Sequence, residues 1–222
     1  MLHKIESVLN IDTHPHSFRE KLISAVGAFI GIYFTYAIAL QFLDTTTALY
    51  ITASMGASAV LLFAVPHGVL SGPWSVIGGH VLSALVGVSI GKLIENPLLA
   101  ASFAVGLAVL LMQLSKSVHP PGGATALIAI IGGQSVHKMG FDYVIFPILI
   151  NALTITITAI LFNYLFSWRR YPPVFSNQRD TNIDDIKNNL AEKIENAISE
   201  LDIYVDVSTE ELVRIFEHIK NK

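Results

Sequence analysis

The sequence predicts an all-α membrane protein built as two repeats of three hydrophobic segments, with a small helical tail. Three observations carry this. The 31 charged side chains crowd the ends, with six in residues 1–21, nineteen in residues 169–222 and six in the 147 residues between, although 52% of the chain is hydrophobic. A soluble core of that size needs far more surface charge, so the middle must face lipid. Long uncharged runs of about 20 residues match a hydrocarbon core of roughly 30 Å. Finally, two weaker segments rich in Gly, Ala, Ser and Thr occupy corresponding places in the two halves, the pattern that marks a transport site in repeat-built carriers.

Residues 1–21 form an N-terminal segment expected to be cytoplasmic. Its acidic residues Glu6, Asp12 and Glu20, and the lack of a short apolar run with a small-residue cleavage site, do not fit a cleavable signal. The pair His14 and His16 resembles two metal ligands, but no third ligand accompanies it, and no metal or other cofactor is expected. The chain has no cysteine, which excludes disulfides and thiolate metal sites.

The transmembrane domain is expected over residues 22–168, with repeat halves at about 22–94 and 95–168. Four runs are long enough to span: 22–42, 74–91, 98–115 and 141–168. Two short or broken segments lie between them, 47–65 and 121–136, and six crossings are favoured over four with re-entrant short segments. Sliding the chain by 67 positions aligns "GASAVLL" at 56–62 with "GATALIA" at 123–129. With six crossings the second half is an inverted copy of the first. Arg19 and Lys21 before the first span, and Arg169 and Arg170 after the last, predict both termini in the cytoplasm.

The stretch "KSVHPPGGATALIAIIGG" at 116–133 interrupts this apolar text with prolines and glycines. Pro121 suits the first turn of a helix, where its missing N–H costs nothing. The N–H groups of Gly122, Gly123, Ala124 and Thr125 would then be unpartnered, and an unsatisfied donor within the bilayer costs several kcal/mol. A small anion at the positive end of the helix dipole would satisfy them. The repeat predicts a second helix start at Gly56, Ala57 and Ser58. His80 and His119 are the histidines expected within the membrane, where imidazole can donate to an anion or shuttle a proton. Lys116 stands three residues before His119, on the same face if the fourth span continues that far. No Asp or Glu lies in the interior of a span, Asp142 standing at the very start of the last, which argues against a cation pathway. Gly27 with Gly31, and Gly87 with Gly91, have the spacing of close helix packing.

"HPPGGATALIA" at 119–129, together with "GASAVLLFAVPHGVLSGPWSVIGGHVLSALVGV" at 56–88, resembles the HPP family of integral membrane proteins. The resemblance covers residues 18–168. It implies a multi-spanning protein of bacterial or plastid membranes with nitrite transport as its activity. By position it carries over to His119, Pro120, Pro121, Gly123, Ala124 and Thr125 in one motif. In the other it carries over to Gly56, Ala57, Ser58, Pro66, Gly79 and His80.

Residues 169–181 read as a turn-rich linker and 182–222 as a small cytoplasmic helical tail. Asn182 is a cap for a first helix, "IYVDV" alternates, and Ser208 with Glu211 forms a capping box for a second. From Asp180 onward eleven acids face five bases, so neither nucleic acid nor an anionic membrane surface is an expected partner of the tail. The expected function is a transporter or channel, not an enzyme, for a small inorganic anion such as nitrite. It would sit in the bacterial inner membrane as a homo-oligomer in the lipid bilayer. Its substrate contacts are expected at Gly56, Ala57, Ser58, His80, His119, Gly122, Gly123, Ala124 and Thr125. The alternatives are a membrane enzyme using His67, His80 and His119, and a sensor or structural module with the tail as its interaction element.

Overall fold

The computed structural model describes residues 17–172 and, beyond them, Leu190, Lys193, Ile194, Asn196, Ala197, Leu212, Val213 and Phe216. Those eight outlying positions are helical. The tail's expected caps and alternating run, and the His14–His16 pair, lie outside the described residues. Among the described residues there is no strand.

Helix α1 (Phe18–Ala39) starts four residues earlier than the expected domain boundary, where Ser17 Oγ accepts the Glu20 N–H at 3.2 Å. Its buried residues Ile23, Gly27, Gly31, Thr35 and Ala39 recur every four positions and form one narrow seam. Phe29, Tyr33 and Phe34 point outward, as lipid-facing side chains should. A Cβ on Gly27 or Gly31 would meet the Phe63 ring at 2.5 or 2.6 Å, so these glycines let α1 close on its neighbour.

Helix α2 (Thr45–Ala64) is capped by Asp44, whose carboxylate accepts the N–H groups of Thr46 and Thr47 and the Thr47 hydroxyl. The segment read as short is thus a helix of 20 residues. Among the described residues five helices, rather than four, are long and apolar enough to cross a membrane. Gly, Ala, Ser and Thr weaken the hydropathy signal without breaking a helix whose neighbours bury it. Over half of the spanning window of α2 is buried, 56%, against 22% for α1, so α2 is central and α1 peripheral.

A 3₁₀ turn (Val69–Ser71) leads to α3 (Pro73–Leu93), which begins on a proline. Then come α4 (Pro97–Leu114), capped by Asn96, the short α5 (Pro121–Ile131) and α6 (Gly133–Met139). The last span, Val144–Tyr164, is kinked. Phe146 leaves helical geometry at φ −116° and ψ 105°, as the residue before Pro147 is driven to do, and α7 (Ile150–Tyr164) follows. A closing 3₁₀ turn (Ser167–Arg169) ends the described core.

Polar and aromatic contacts gather at two ends of the bundle. At one, the buried Arg169 side chain joins Glu20, Asn163 and the Phe63 carbonyl, Tyr171 donates to Ser71 O at 2.7 Å, and Trp74 donates to Ser115 O at 3.0 Å. Arg19 stacks over Trp168 there, which puts the basic residues flanking the first and last spans together. At the other end Lys92 Nζ lies 4.9 Å from the Phe141 ring centre, and Phe42 packs on Phe146.

Candidate functional site

The site is made by the way α4 ends. Ser117 N–H bonds to Met112 O at 2.8 Å and Lys116 N–H to Gln113 O at 3.2 Å, the paired bonds of a Schellman stop. Lys116 holds the left-handed position, φ 55°, that glycine usually takes. Lys116 and His119 therefore do not share a helix face: α4 stops at Leu114, and Lys116 is exposed while His119 is buried.

Residues 115–120 run without helix down a glycine-lined groove of α3. A Cβ on Gly78 would sit 3.0 Å from Ser117 Cβ, and one on Gly79 would sit 2.6 Å from His119 Cβ. Further along, a Cβ on Gly87 would strike the backbone of Ala126 at 2.7 Å. The expected packing role of Gly87 is thus met within the chain, against α5. Pro121 opens α5 at its first position, as the sequence predicted.

This descent delivers His119 to a continuous buried chain of hydrogen bonds. His119 Nδ1 lies 2.8 Å from Leu70 O, and its Nε2 lies 2.8 Å from Ser58 Oγ. Ser58 Oγ is also 2.8 Å from His80 Nε2, and His80 Nδ1 is 2.7 Å from Thr125 Oγ1. Tyr143 donates from its hydroxyl to Thr125 O at 3.0 Å. Ser58, His80, His119 and Thr125 are each 0% exposed, and the two imidazole rings stand 5.0 Å apart. The offset of 67 noted in the sequence pairs Ser58 with Thr125. These two hydroxyls hold the two nitrogens of His80.

Four of the nine expected contact residues come together in this chain, and the rest do not join it. Gly56, Ala57 and Ser58 are not a helix start. They lie in the second half of α2, because that helix is capped upstream at Asp44 and no proline interrupts it. Ala57 is exposed, and a Cβ on Gly56 would meet nothing within 4 Å. Nor are the first N–H groups of α5 open to a ligand at Gly122 and Gly123. They bond to His119 O at 2.8 Å and Pro120 O at 3.0 Å, a tight first turn that satisfies itself. Gly122 is a packing residue, with Ser83 Oγ and Gly79 O within 3 Å of where its Cβ would be. Gly123 and Ala124 are half-buried, and Val105 is 3.9 Å from a Cβ on Gly123.

Sequence reasoning missed Leu70, Tyr143 and Asn151. Asn151 is 0% exposed, and neither its Oδ1 nor its Nδ2 has a partner. On α7 it lies between Ile148, which shares a core cluster with Ala84 and Val88, and Ile155, which shares one with Val76. Asn151 is thus the polar member of a helix face otherwise packed into the core. A search for ionisable groups overlooks it; an amide in an uncharged span was the available signal. Leu70 acts through its carbonyl, which no side-chain pattern reveals. Among the described residues no three His, Cys, Asp or Glu side chains gather into a group that would hold a metal.

The family described as the HPP transmembrane region matches residues 13–172, well over half of the chain and all of this bundle. The chain belongs to the HPP family. Two relatives from Dictyostelium discoideum are each named only as a transmembrane protein. One is 42% identical over 123 residues, 54% of this chain and 43% of the relative. The other is 34% identical over 153 residues, 67% of this chain and 49% of the relative. The chain therefore spans about half or less of the length of these relatives. No solved structure matches it. The family and the apolar helices together make this a multi-pass membrane protein.

Proposed function

We propose that this chain transports a small inorganic anion, with nitrite the leading substrate, and that the anion is recognised at the buried chain of Ser58, His80, His119 and Thr125. The observation that carries the reading is the chain itself: uncharged donors and acceptors joined across α2, α3, α5 and the broken segment, in the middle of an apolar bundle. Polar groups at such depth are costly and mark function by default. A discontinuous helix beside them is a recurrent feature of transport sites.

The corrections move the recognition from backbone to side chains. Asn151, fully buried and unpaired, supplies two N–H donors and one acceptor, a match for an anion that accepts hydrogen bonds and for its protonated acid. At the end of α3 and α5 remote from Leu70, Lys92 and His137 line a cavity of about 60 Å3 with Val88, Gly91, Ala129, Val136 and Gly140. The Lys92 ammonium at that mouth favours an anion's approach.

Both termini are placed in the cytoplasm in this reading, with the Lys92 end outside, and the protein works in a bacterial inner membrane. Purified protein in proteoliposomes should give nitrite uptake that saturates with concentration and exceeds that of protein-free vesicles. Uptake equal to that of protein-free vesicles contradicts the reading.

A further inference from the structure

The geometry points to a relay for a single proton between His80 and His119, bridged by the Ser58 hydroxyl, that carries a proton along with each anion. This rests on the anion-transport reading of the same site and adds coupling to it. Leu70 O can only accept, so His119 carries its proton on Nδ1 and presents a lone pair at Nε2. Ser58 then donates to His119 Nε2 at 2.8 Å rather than to the more distant Ser54 O at 3.4 Å, accepts from His80 Nε2–H, and leaves His80 Nδ1 to accept the Thr125 hydroxyl proton. Each link fixes the next. With both imidazoles neutral the chain has one arrangement, in which His80 and His119 are opposite tautomers.

Thr125 Oγ1 keeps lone pairs open at the far end. When the protonated acid donates to it, the acid's O–H bond breaks, its electron pair stays with the departing anion, and a new O–H bond forms on Thr125. Thr125 passes its former proton to His80 Nδ1. His80 gives its Nε2 proton to Ser58 Oγ as Ser58 gives its own to His119 Nε2. The charge ends on His119, His80 is left neutral with its proton on Nδ1, and the reverse sequence returns the proton to an anion.

The pair holds one proton because two imidazolium rings 5.0 Å apart in an apolar bundle repel strongly. Nothing nearby relieves that repulsion. Helices α2, α3, α4, α5 and α7 hold a single Lys, Arg, Asp or Glu, Lys92 at the far end of α3. The other titratable groups on or against these elements include exposed Tyr50 and Tyr164, Tyr143 on the Thr125 carbonyl, buried Tyr171 on the Ser71 carbonyl, His67 in the Leu70 loop and exposed Lys116.

Histidine ring ¹⁵N NMR of the full chain in nanodiscs tests this, with single His→Asn variants for assignment, beside nitrite flux into vesicles holding a pH dye. Expected are His80 protonated on Nε2, His119 on Nδ1, and one proton taken up by the pair on acidification. Nitrite entry should carry one proton and no net charge. Ser58→Ala should abolish proton entry with nitrite, and Ser58→Thr, which keeps the hydroxyl, should retain it. Matching tautomers, or two protons taken up whether or not Ser58 is present, overturn the relay. Nitrite flux that carries net charge and leaves the dye unmoved overturns the relay alone. Absence of flux overturns the anion reading and the coupling with it. The wild-type tautomers decide the matter even if Ser58→Ala fails to fold.

Discussion

Gly56-Ala57-Ser58 and Gly123-Ala124-Thr125 start from nearly the same text and end in different backbones. The first runs uninterrupted through the second half of α2, with its polar cap far upstream at Asp44. The second lies in the first turn of α5, because Pro120 and Pro121 stand before it and a Schellman stop at Lys116 has already ended α4. Yet Ser58 and Thr125 arrive at the same imidazole. The difference teaches what the break is for. It does not bare a set of N–H groups, which the tight turn at Gly122 and Gly123 satisfies. It lowers six non-helical residues into the groove of α3, so that a histidine enters the bundle where a regular helix has none to offer.

The strongest way to break this contrast is to close the groove on one side only. Gly79→Ala places a methyl 2.6 Å from His119 Cβ and 2.9 Å from Ser117 O, so the broken segment must shift. The expected cost is about 1–3 kcal/mol, the usual range for overpacking, read as a lower melting temperature in detergent with loss of nitrite flux. Gly56→Ala in the unbroken partner meets nothing within 4 Å and should stabilise by about 0.5–1 kcal/mol, the ordinary gain of alanine over glycine in a helix. Equal effects from the two would remove the contrast.

A smaller change sharpens the account of the stop. Lys116 at φ 55° carries a left-handed strain that glycine does not, so Lys116→Gly should stabilise by about 1 kcal/mol with flux preserved. A melting temperature that stays level or falls would show that the lysine side chain, and not the turn, holds this position.

The helical, multi-pass character of the bundle was legible in the sequence because its signal is additive: long uncharged runs between ends that hold most of the charge. So was the break, since prolines act locally on the backbone. His80, His119, Ser58 and Thr125 were legible as residues, but their convergence was not. It depends on how deep the non-helical segment sinks, which the glycines of α3 decide from another part of the chain. The helix start expected at Gly56 failed for a related reason. Small residues permit close approach without ending a helix, and hydropathy cannot separate the two. Asn151 was invisible to a scan for charge.

The smallest expected effect lies at the cap of the unbroken helix. The Thr47 hydroxyl, with the N–H groups of Thr47 and Thr46, holds the Asp44 carboxyl below its ordinary value of 3.8. A lowered folded value means the cap's stabilisation is present in full above that ordinary value and is lost as pH falls through the lowered one. Wild type and Asp44→Asn should differ in melting temperature at neutral pH and converge in strong acid. A difference that persists unchanged into acid would assign the cap to something other than the charge.

The central claim is that the four buried side chains, and not the helix starts once expected, recognise the anion. Saturable nitrite uptake should be compared in proteoliposomes for wild type, Thr125→Val and Ala57→Val, each confirmed folded by its melting transition. Thr125→Val removes the hydroxyl on His80 Nδ1, while Ala57→Val adds bulk on the exposed face of α2. The account predicts that Thr125→Val loses affinity by about tenfold, the worth of a hydrogen bond to a charged partner, and that Ala57→Val transports as wild type does. Wild-type affinity in folded Thr125→Val together with a block in Ala57→Val would contradict it.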